Sequence, residues 1–279
     1  MKVDAASLFS LEGKTALLTG ASGFLGRTMG RVLLANGAKL IALGRSERLE
    51  ELAAEWAKDF GADRVSAYRV DMYNLPALEE TLNRLVAREP AIDILINNAH
   101  ELGTQTGFNT SAGSLENSTP EQWMRNLTGG IYWSVLTVQK VGPAMKARRQ
   151  GSIINISTMY AQVAPSPQLY KGTDFINPPG YSTSKAGLLA FTRYVASFWG
   201  AYGIRANAIL PGPFSNTEDD GANSVSDDDD FLERLKARTC LNRIGKPDEL
   251  AGALLFLASD SSSFVTGHAL TVDGGWTIT

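Results

Sequence analysis

The stretch T-A-L-L-T-G-A-S-G-F-L-G (residues 15–26) carries the strongest signal of the fold in this 279-residue chain. Its first five residues predict a buried strand, and a helical pattern begins directly after the glycine turn. Gly20 permits a tight turn, Gly23 lets the main chain approach a pyrophosphate, and Gly26 allows close helix–strand packing. The free N–H groups at the helix start attract negative charge. The stretch is therefore typical of a dinucleotide-binding turn.

Short apolar runs alternate with longer amphipathic segments along the rest of the chain. The predicted strands are 15–19, 39–43, 64–70, 92–96, 152–157, 204–210 and 269–272. The predicted helices are 24–36, 46–59, 75–89, 119–149, 179–201 and 247–258. This alternation predicts an α/β fold, in which a doubly wound parallel seven-stranded sheet carries helices on both faces. Nothing in the chain resembles a linker, so residues 1–279 are expected to form a single domain of the Rossmann type.

Three long loops interrupt the alternation, at about residues 100–118, 159–180 and 213–235. Each follows a predicted strand, and ligands of open α/β sheets bind beyond the carboxyl ends of the strands. Loops of this length inside a compact domain are more often functional than accidental. We therefore expect all three to contact a substrate.

Composition excludes several classes of function. The net charge of -3 and the pI near 5.5 argue against a nucleic-acid partner. Cys240 is the one cysteine, which is consistent with a reducing cytosol, and two distant histidines make a metal site improbable. No segment approaches the ~20 apolar residues that cross a membrane, and the first residues lack the pattern of a signal peptide. We expect a cytoplasmic protein without a metal or a membrane anchor.

The end of the second strand bears on the choice of cofactor. An aspartate or glutamate here usually binds a free ribose 2′-hydroxyl, whereas a 2′-phosphate needs a cation. Gly44 supplies no carboxylate, Arg45 offers a planar fork that suits phosphate, and Ser22 can add a hydroxyl. These residues favour NADP(H) over NAD(H). The alternative is that Arg45 is an ordinary solvated side chain beside Glu47.

Tyr181 and Lys185, in Y-S-T-S-K (residues 181–185), lie at i and i+4 on one face of a predicted helix. A nearby cation favours the phenolate, so the pair suits a group that exchanges a proton with a carbonyl or an alcohol oxygen. Taken alone, the spacing also fits a helix face with a lysine whose stem covers apolar surface.

Seven motifs in order complete the pattern, and together they make the chain resemble the short-chain dehydrogenase/reductase family, in its branch of about 250 residues. The resemblance runs from Leu11 to Gly275 and extends to members acting on 3-oxoacyl groups, on gluconate and on sugar ketones. The motifs are T-G-A-S-G-F-L-G (19–26), V-D-M (70–72), N-N-A-H (97–100), S-I-I-N-I-S-T (152–158), Y-S-T-S-K (181–185), R-A-N-A-I-L-P-G-P (205–213) and T-G-H-A-L-T-V-D-G-G (266–275).

The resemblance implies roles for individual residues. Tyr181 resembles the catalytic acid/base, and Lys185 the lysine that holds the nicotinamide ribose and lowers the pKa of the tyrosine. Thr158 resembles the hydroxyl residue that orients the substrate, although serine is usual there and Ser157 lies next to it. The residues implied to bind cofactor are Gly20, Ser22, Gly23, Phe24, Leu25, Gly26, Arg45, Asp71, Met72, Asn98, Ala99, Tyr181, Lys185, Pro211, Gly212 and Phe214.

Three departures from the family pattern leave alternatives open. The G-x-x-G-x-x-G spacing of the turn is more similar to the longer, sugar-nucleotide-handling branch. Gly130 stands where the family has a helix-kinking asparagine. Its own carbonyl can serve a proton relay, Asn126 one turn earlier can substitute, or catalysis is impaired. His100 replaces a glycine, and it either contacts ligand, titrates near neutral pH, or is a satisfied loop residue.

The resemblance implies an NADP(H)-dependent oxidoreductase that transfers a hydride between nicotinamide and a ketone or a secondary alcohol. Polar residues in the loops favour a sugar, polyol or sugar-acid substrate; they are His100, Glu101, Tyr160, Asp174 and Asn177. The alternatives are a reductase of hydrophobic or acyl ketones of the 3-oxoacyl type, and a catalytically silent NADP-binding sensor or scaffold. Family members commonly form tetramers, so we expect a homo-oligomer.

Overall fold

A parallel sheet of seven strands, in the order β3-β2-β1-β4-β5-β6-β7, organises the molecule. The computed structural model describes residues 7–89, 91–173, 176–214 and 229–279. The strands are β1 (Thr15–Thr19), β2 (Lys39–Gly44), β3 (Val65–Arg69), β4 (Ile92–Asn97), β5 (Gly151–Ile156), β6 (Ile204–Pro211) and β7 (Ala269–Val272). The order reverses between β1 and β4, which opens a crevice at the carboxyl edge of the sheet.

Eight α-helices accompany these strands in the described part of the chain. They are α1 (Phe24–Ala35), α2 (Arg48–Phe60), α3 (Leu75–Arg88), α4 (Pro120–Leu127), α5 (Trp133–Arg148), α6 (Pro179–Trp199), α7 (Asp229–Ala237) and α8 (Ala251–Ala258). None of them is long and apolar enough to cross a lipid bilayer.

The apolar core lies in two layers, one on each face of the sheet. Leu33 of α1 and Leu254 of α8 pack on one face, with Leu18 of β1 between them. Leu82 of α3 and Val141 of α5 pack on the other. All these side chains are buried, and burial of a leucine or valine side chain contributes roughly 1.5–3 kcal/mol. The predicted doubly wound α/β fold is thus confirmed.

Two helices differ from the prediction. The single helix predicted over 119–149 is interrupted by a π-helical turn, Thr128–Tyr132, which separates α4 from α5. Gly129 and Gly130 lie in that turn and lack the side chains that would resist the distortion. Helix α7 was not predicted, because its acidic start lies in a segment that reads as a loop.

Candidate active site

The turn after β1 has the conformation that its glycines predict. Gly20 has a φ of 66°, and a Cβ there would lie 2.8 Å from the Cα of Ala99. A Cβ on Gly26 would overlap the carbonyl oxygen of Gly20, so α1 approaches the turn closely. Helix α1 begins at Phe24, and no side chain caps its first turn. Its free N–H groups therefore point to an anion site.

Asn98 binds this turn to the end of β4. The N–H groups of Asn98 and Ala99 both donate to Thr19 Oγ1 at 3.0 Å. The Asn98 side chain donates to the main-chain oxygens of Thr19 and Gly20, at 3.2 and 3.0 Å. The amide of Asn98 thus holds the turn in place, while Asn98 and Ala99 also line the crevice.

A cleft of about 480 Å³ occupies the crevice and brings together all the predicted site residues except Gly26. Gly26 lies beneath the turn, where its missing side chain matters for packing. The size is within the ~300–1,000 Å³ of small-molecule sites. The cleft is lined by Gly20, Ser22, Gly23, Phe24, Leu25, Arg45, Asp71, Met72, Asn98, Ala99, Thr158, Tyr181, Lys185, Pro211, Gly212 and Phe214, with His100 and Glu101 among others.

Arg45 extends over one end of this cleft, and it is not simply solvated. Arg45 Nη1 lies 3.4 Å from Glu101 Oε1. The other oxygen of Glu101 accepts hydrogen bonds from Arg125 Nε and Nη2, at 3.1 and 2.6 Å. Burial raises the pKa of Glu101, but the bonds from Arg125 and Tyr73 outweigh it, so that pKa lies below its ordinary value. Sequence reasoning missed this ion-pair cluster, because it depends on how the loop after β4 folds.

Tyr181, Lys185 and Thr158 meet at the other end. Tyr181 and Lys185 share one face of α6, as their spacing predicts, and Lys185 Nζ donates to the carbonyl of Ile156 at 2.8 Å. The side chain of Thr158 hydrogen-bonds the Tyr181 hydroxyl. Ser157 Oγ instead donates to the main-chain oxygen of Lys185 at 2.9 Å. Of the two hydroxyl residues, Thr158 is therefore the one that contacts the phenol.

The expected lowering of the Tyr181 pKa is wrong for this structure. Burial raises the pKa of Tyr181 to about 12, although the hydrogen bond with Thr158 opposes the shift. Burial also lowers the pKa of Lys185 to about 7. Removal from water disfavours the charged form of each group, so the lysine is only partly an ammonium at neutral pH. The effect of the Lys185 charge on the pKa of Tyr181 is correspondingly small.

Gly130 allows close packing between the π-helical turn and α6. A Cβ on Gly130 would lie 2.5 Å from Ser184 Cβ and would overlap Ser184 Oγ. An asparagine side chain has no room at this position. Asn126 does not take its place, because its amide donates to the carbonyls of Thr106 and Gln122, each at 2.9 Å. That a Gly130 carbonyl serves a proton relay stays a prediction.

His100 and Phe108 pack edge-on against Tyr181. Their ring centroids lie 5.0 and 4.9 Å from that of Tyr181, with interplanar angles of 62° and 81°. Both ring nitrogens of His100 are buried and neither makes a hydrogen bond of good geometry. Burial, and then the charge of Lys185, hold the pKa of His100 well below its ordinary value, although a main-chain contact with Gly129 opposes the shift. His100 is thus not a group that titrates near neutral pH. Phe108 was not predicted, since one apolar residue in a polar loop carries little signal.

Aromatic residues continue from Tyr181 beneath the predicted loops. Tyr160 lies 6.3 Å from Trp276, and Tyr170 lies 5.9 Å from Phe231, measured between ring centroids. The side chains of Tyr160 and Tyr170 hydrogen-bond each other. Asp174 and residues 215–228, which belong to the predicted substrate loops, lie outside the described residues.

The donor set of the cleft fits a dinucleotide with an extra phosphate. An uncapped helix start follows the turn at Gly20, and Arg45 places a cation at the end of β2. The side chains of Lys185 and Tyr181 lie at the opposite end. A single cleft therefore joins groups suited to binding phosphate with a pair suited to proton exchange.

Comparison with known proteins agrees with this geometry. The family model described as Enoyl-(Acyl carrier protein) reductase matches residues 20–277. The sorbose reductase of Schizosaccharomyces pombe is 33% identical over 276 residues, 97% of this chain and 98% of that protein. A 2-dehydro-3-deoxy-D-gluconate 5-dehydrogenase of Bacillus subtilis is 30% identical over 96% of each chain.

A crystal structure matches the fold closely. The gluconate 5-dehydrogenase of Burkholderia cenocepacia, in complex with NADP and tartrate, has a TM-score of 0.82 and 31% identity. The match covers 99% of this chain and all of that one. The fold, the seven motifs and these similarities lead to one conclusion. The chain belongs to the short-chain dehydrogenase/reductase family.

Proposed function

We propose that this protein is an NADP(H)-dependent oxidoreductase that interconverts a secondary alcohol and a ketone, with a sugar, polyol or sugar acid as substrate. One observation carries the proposal. The cleft that begins at the uncapped start of α1 and Arg45 ends at the cluster of Tyr181, Thr158 and Lys185. Phosphate-binding and proton-exchanging groups therefore face one continuous space.

The residues that would hold the cofactor are distributed along that space. The turn at Gly20 and Gly23 and the first N–H groups of α1 would bind the pyrophosphate, and Arg45 would bind the 2′-phosphate. The residues at the ends of the next strands would line the adenine and nicotinamide ends; they are Asp71, Met72, Asn98, Ala99, Pro211, Gly212 and Phe214. NADPH, when bound, would supply the hydride that reduces the carbonyl carbon.

The protein's own residues would manage the substrate oxygen. Thr158 donates a hydrogen bond to that oxygen, and Tyr181 transfers its hydroxyl proton to it as the carbonyl becomes an alcohol. A phenol with a pKa of about 12 is protonated at neutral pH, so Tyr181 holds the proton that reduction of a carbonyl requires. Lys185 lies one helical turn from Tyr181, where its ammonium form would stabilise the phenolate that remains.

Hydroxylated substrates are favoured by the polar lining and by the relatives. His100 lines the cleft, and its buried ring nitrogens make no hydrogen bond of good geometry, while Tyr160 and Tyr170 lie beside the site. The similar proteins named above act on sorbose and on a keto-sugar acid.

A reductase of hydrophobic or acyl ketones is the second candidate. The aromatic cluster of Tyr160, Trp276 and Phe231 and the description of the family model support it.

A catalytically silent NADP-binding sensor is the third candidate. The raised pKa of Tyr181 and the glycine at position 130 are the observations that support it. The hydrogen bond between Thr158 and Tyr181 argues against it, because it keeps the phenol in place for proton transfer.

We further propose a homo-oligomer, a tetramer by resemblance, in the cytoplasm. The rings of Tyr194 and Phe198 stack on α6 with 4.3 Å between their centroids, and both side chains are more than half exposed. Exposed aromatic pairs of this kind often mark protein interfaces. Cys240 is an exposed thiol, which suits a reducing compartment. Light scattering of Phe198→Lys against wild type tests the oligomer, since the charge should lower the measured mass.

The activity is tested by following NADPH absorbance with a panel of ketoses, keto-sugar acids and apolar ketones. Wild type is expected to reduce a ketose or keto-sugar acid, and Tyr181→Phe to bind NADPH but to lose at least ~10²-fold in rate, as removal of a general acid does. Preference for apolar ketones would favour the second candidate. Tight binding of NADPH without turnover in either protein would favour the sensor.

A further inference from the structure

We infer that His100 is a binding residue that holds a ligand hydroxyl beside Tyr181. The inference deepens the proposed function, on which it rests, by naming a group that the site would recognise. It stands on three features of the described structure: the orientation of the ring, the lack of partners for its nitrogens, and the packing that keeps it there.

The position of His100 is fixed on both sides. One edge faces Tyr181 with 5.0 Å between ring centroids, and a Cβ on Gly130 would come within 3.5 Å of His100 Cε1. His100 nevertheless lines the cleft, as do Thr158 and Lys185. Any ligand group near the Tyr181 hydroxyl is therefore within reach of the imidazole.

The nitrogens of His100 lack the partners that buried polar atoms normally have. Nδ1 and Nε2 are both removed from solvent and neither makes a hydrogen bond of good geometry, which costs free energy in a folded protein. A main-chain contact with Gly129 accounts for one of the two nitrogens at most, so the other is left without a partner. Unpaired nitrogens at the wall of a cleft are explained if a ligand pairs with them.

The imidazole selects the chemistry of its partner. Burial and the charge of Lys185 keep His100 neutral at physiological pH. A neutral imidazole has one N–H donor and one nitrogen acceptor, and a hydroxyl group complements both. A carboxylate has no hydrogen to donate to the acceptor nitrogen, and an apolar group would leave the nitrogens unpaired. A hydroxyl is thus the partner that satisfies the site.

Two ligands bring a hydroxyl to this place: a substrate with a hydroxyl next to its carbonyl, and the nicotinamide ribose. The variant His100→Phe distinguishes the two ligands, because phenylalanine keeps an aromatic ring and its edge contact with Tyr181 but has no ring nitrogens. His100→Gln restores a donor and an acceptor. His268→Phe is the matched control, since His268 is exposed and lies in the turn before β7.

Two measurements are made on each variant: the Kd of NADPH by fluorescence titration, and kcat/KM for the best ketose against its deoxy analogues, which lack a hydroxyl next to the carbonyl. Wild type is expected to prefer the hydroxylated ketose by about 10²-fold or more, since unpaired polar groups reject the analogue. If the substrate supplies the hydroxyl, His100→Phe loses this preference, His100→Gln regains part of it, and the Kd stays constant. If the ribose supplies it, His100→Phe weakens NADPH binding about tenfold and keeps the preference.

The inference is overturned if His100→Phe changes neither quantity, or if it lowers the melting temperature while His268→Phe does not. Removal of unpaired buried nitrogens should leave that temperature unchanged or higher. If wild type reduces no ketose at all, the proposed function fails separately, and the NADPH titration alone then decides the role of His100.

Discussion

Arg45 and Glu101 face each other across the cleft, with 3.4 Å between Nη1 and Oε1. The arginine that would bind a 2′-phosphate thus shares its charge with a carboxylate in the loop after β4. Glu101 is held in turn by Arg125, whose guanidinium lies 3.8 Å from the centre of the Tyr73 ring. Its carboxylate is therefore fixed close to the place where the phosphate would bind.

Glu101→Gln should tighten NADPH binding and leave NADH binding unchanged. The substitution keeps the shape of the side chain and removes a negative charge that repels the 2′-phosphate. The Arg45 side chain is 60% exposed, so the effect should be small, about 2- to 5-fold, as for pairs of about 0.2–1 kcal/mol at the surface. Titration with both cofactors at low salt measures it. An equal change for NADPH and NADH would refute the assignment.

Arg45→Asp should weaken NADPH far more than NADH. A charge-assisted hydrogen bond to phosphate contributes about 1.5–3 kcal/mol, so a loss of roughly 10- to 100-fold in NADPH affinity is expected. The new carboxylate would also lie near Glu101, which adds repulsion. Arg31→Gln is the control, because Arg31 pairs with Asp59 at 3.1 Å and is not among the residues that line the cleft. Equal losses for the two cofactors would defeat the NADP assignment.

Gly130→Ala should destabilise the fold, because the added Cβ meets Ser184 across the helix contact. Overpacking of this kind costs typically about 1–3 kcal/mol in the free energy of unfolding. Ser184→Gly removes the opposing side chain, so the double variant should recover much of the loss. Urea unfolding of the four proteins gives the coupling energy. Strictly additive losses would show that the two residues do not pack as described.

The free energy of unfolding should rise with pH between about 7 and 10 because of Lys185. In the folded state its pKa is about 7, whereas the unfolded lysine titrates near 10.4. Within this window the unfolded chain binds a proton that the folded chain does not, so stability rises by at most about 1.4 kcal/mol per pH unit. Above pH 10 the raised pKa of Tyr181 acts in the opposite direction.

The comparison of wild type with Lys185→Met isolates the contribution of Lys185 to the pH dependence of the free energy of unfolding. Urea unfolding at pH 7.5 and 9.5 should show a larger increase for wild type than for the variant. All other titrating groups are shared and cancel in the difference. Parallel behaviour of the two proteins would mean that Lys185 is charged and solvated in the folded state.

Motifs at strand ends made much of the fold and of the cleft predictable from sequence. The carboxyl ends of parallel strands meet at one edge, so Gly20, Asn98, Thr158 and Pro211 had to lie near one another once the strands were recognised. The spacing of Tyr181 and Lys185 likewise placed both on one helix face.

Contacts that depend on loop conformation and on helix packing were not predictable. The pairing of Glu101 with Arg45 depends on the path of the chain after β4. The π-helical turn places Gly130 against Ser184, a contact between distant parts of the chain. The pKa of Tyr181 was expected to fall, because spacing shows that Lys185 is near but not that both groups are buried.

Tyr181 is proposed to protonate a carbonyl oxygen while a hydride reaches the carbonyl carbon. Transfer from NADPH carrying deuterium at C4 of the nicotinamide to a ketose, followed by NMR of the product, tests this proposal. Deuterium is expected on the new carbinol carbon with wild type, and almost none with Tyr181→Phe over the same time. An unlabelled product, or equal labelling by the two proteins, would show that Tyr181 does not have this role.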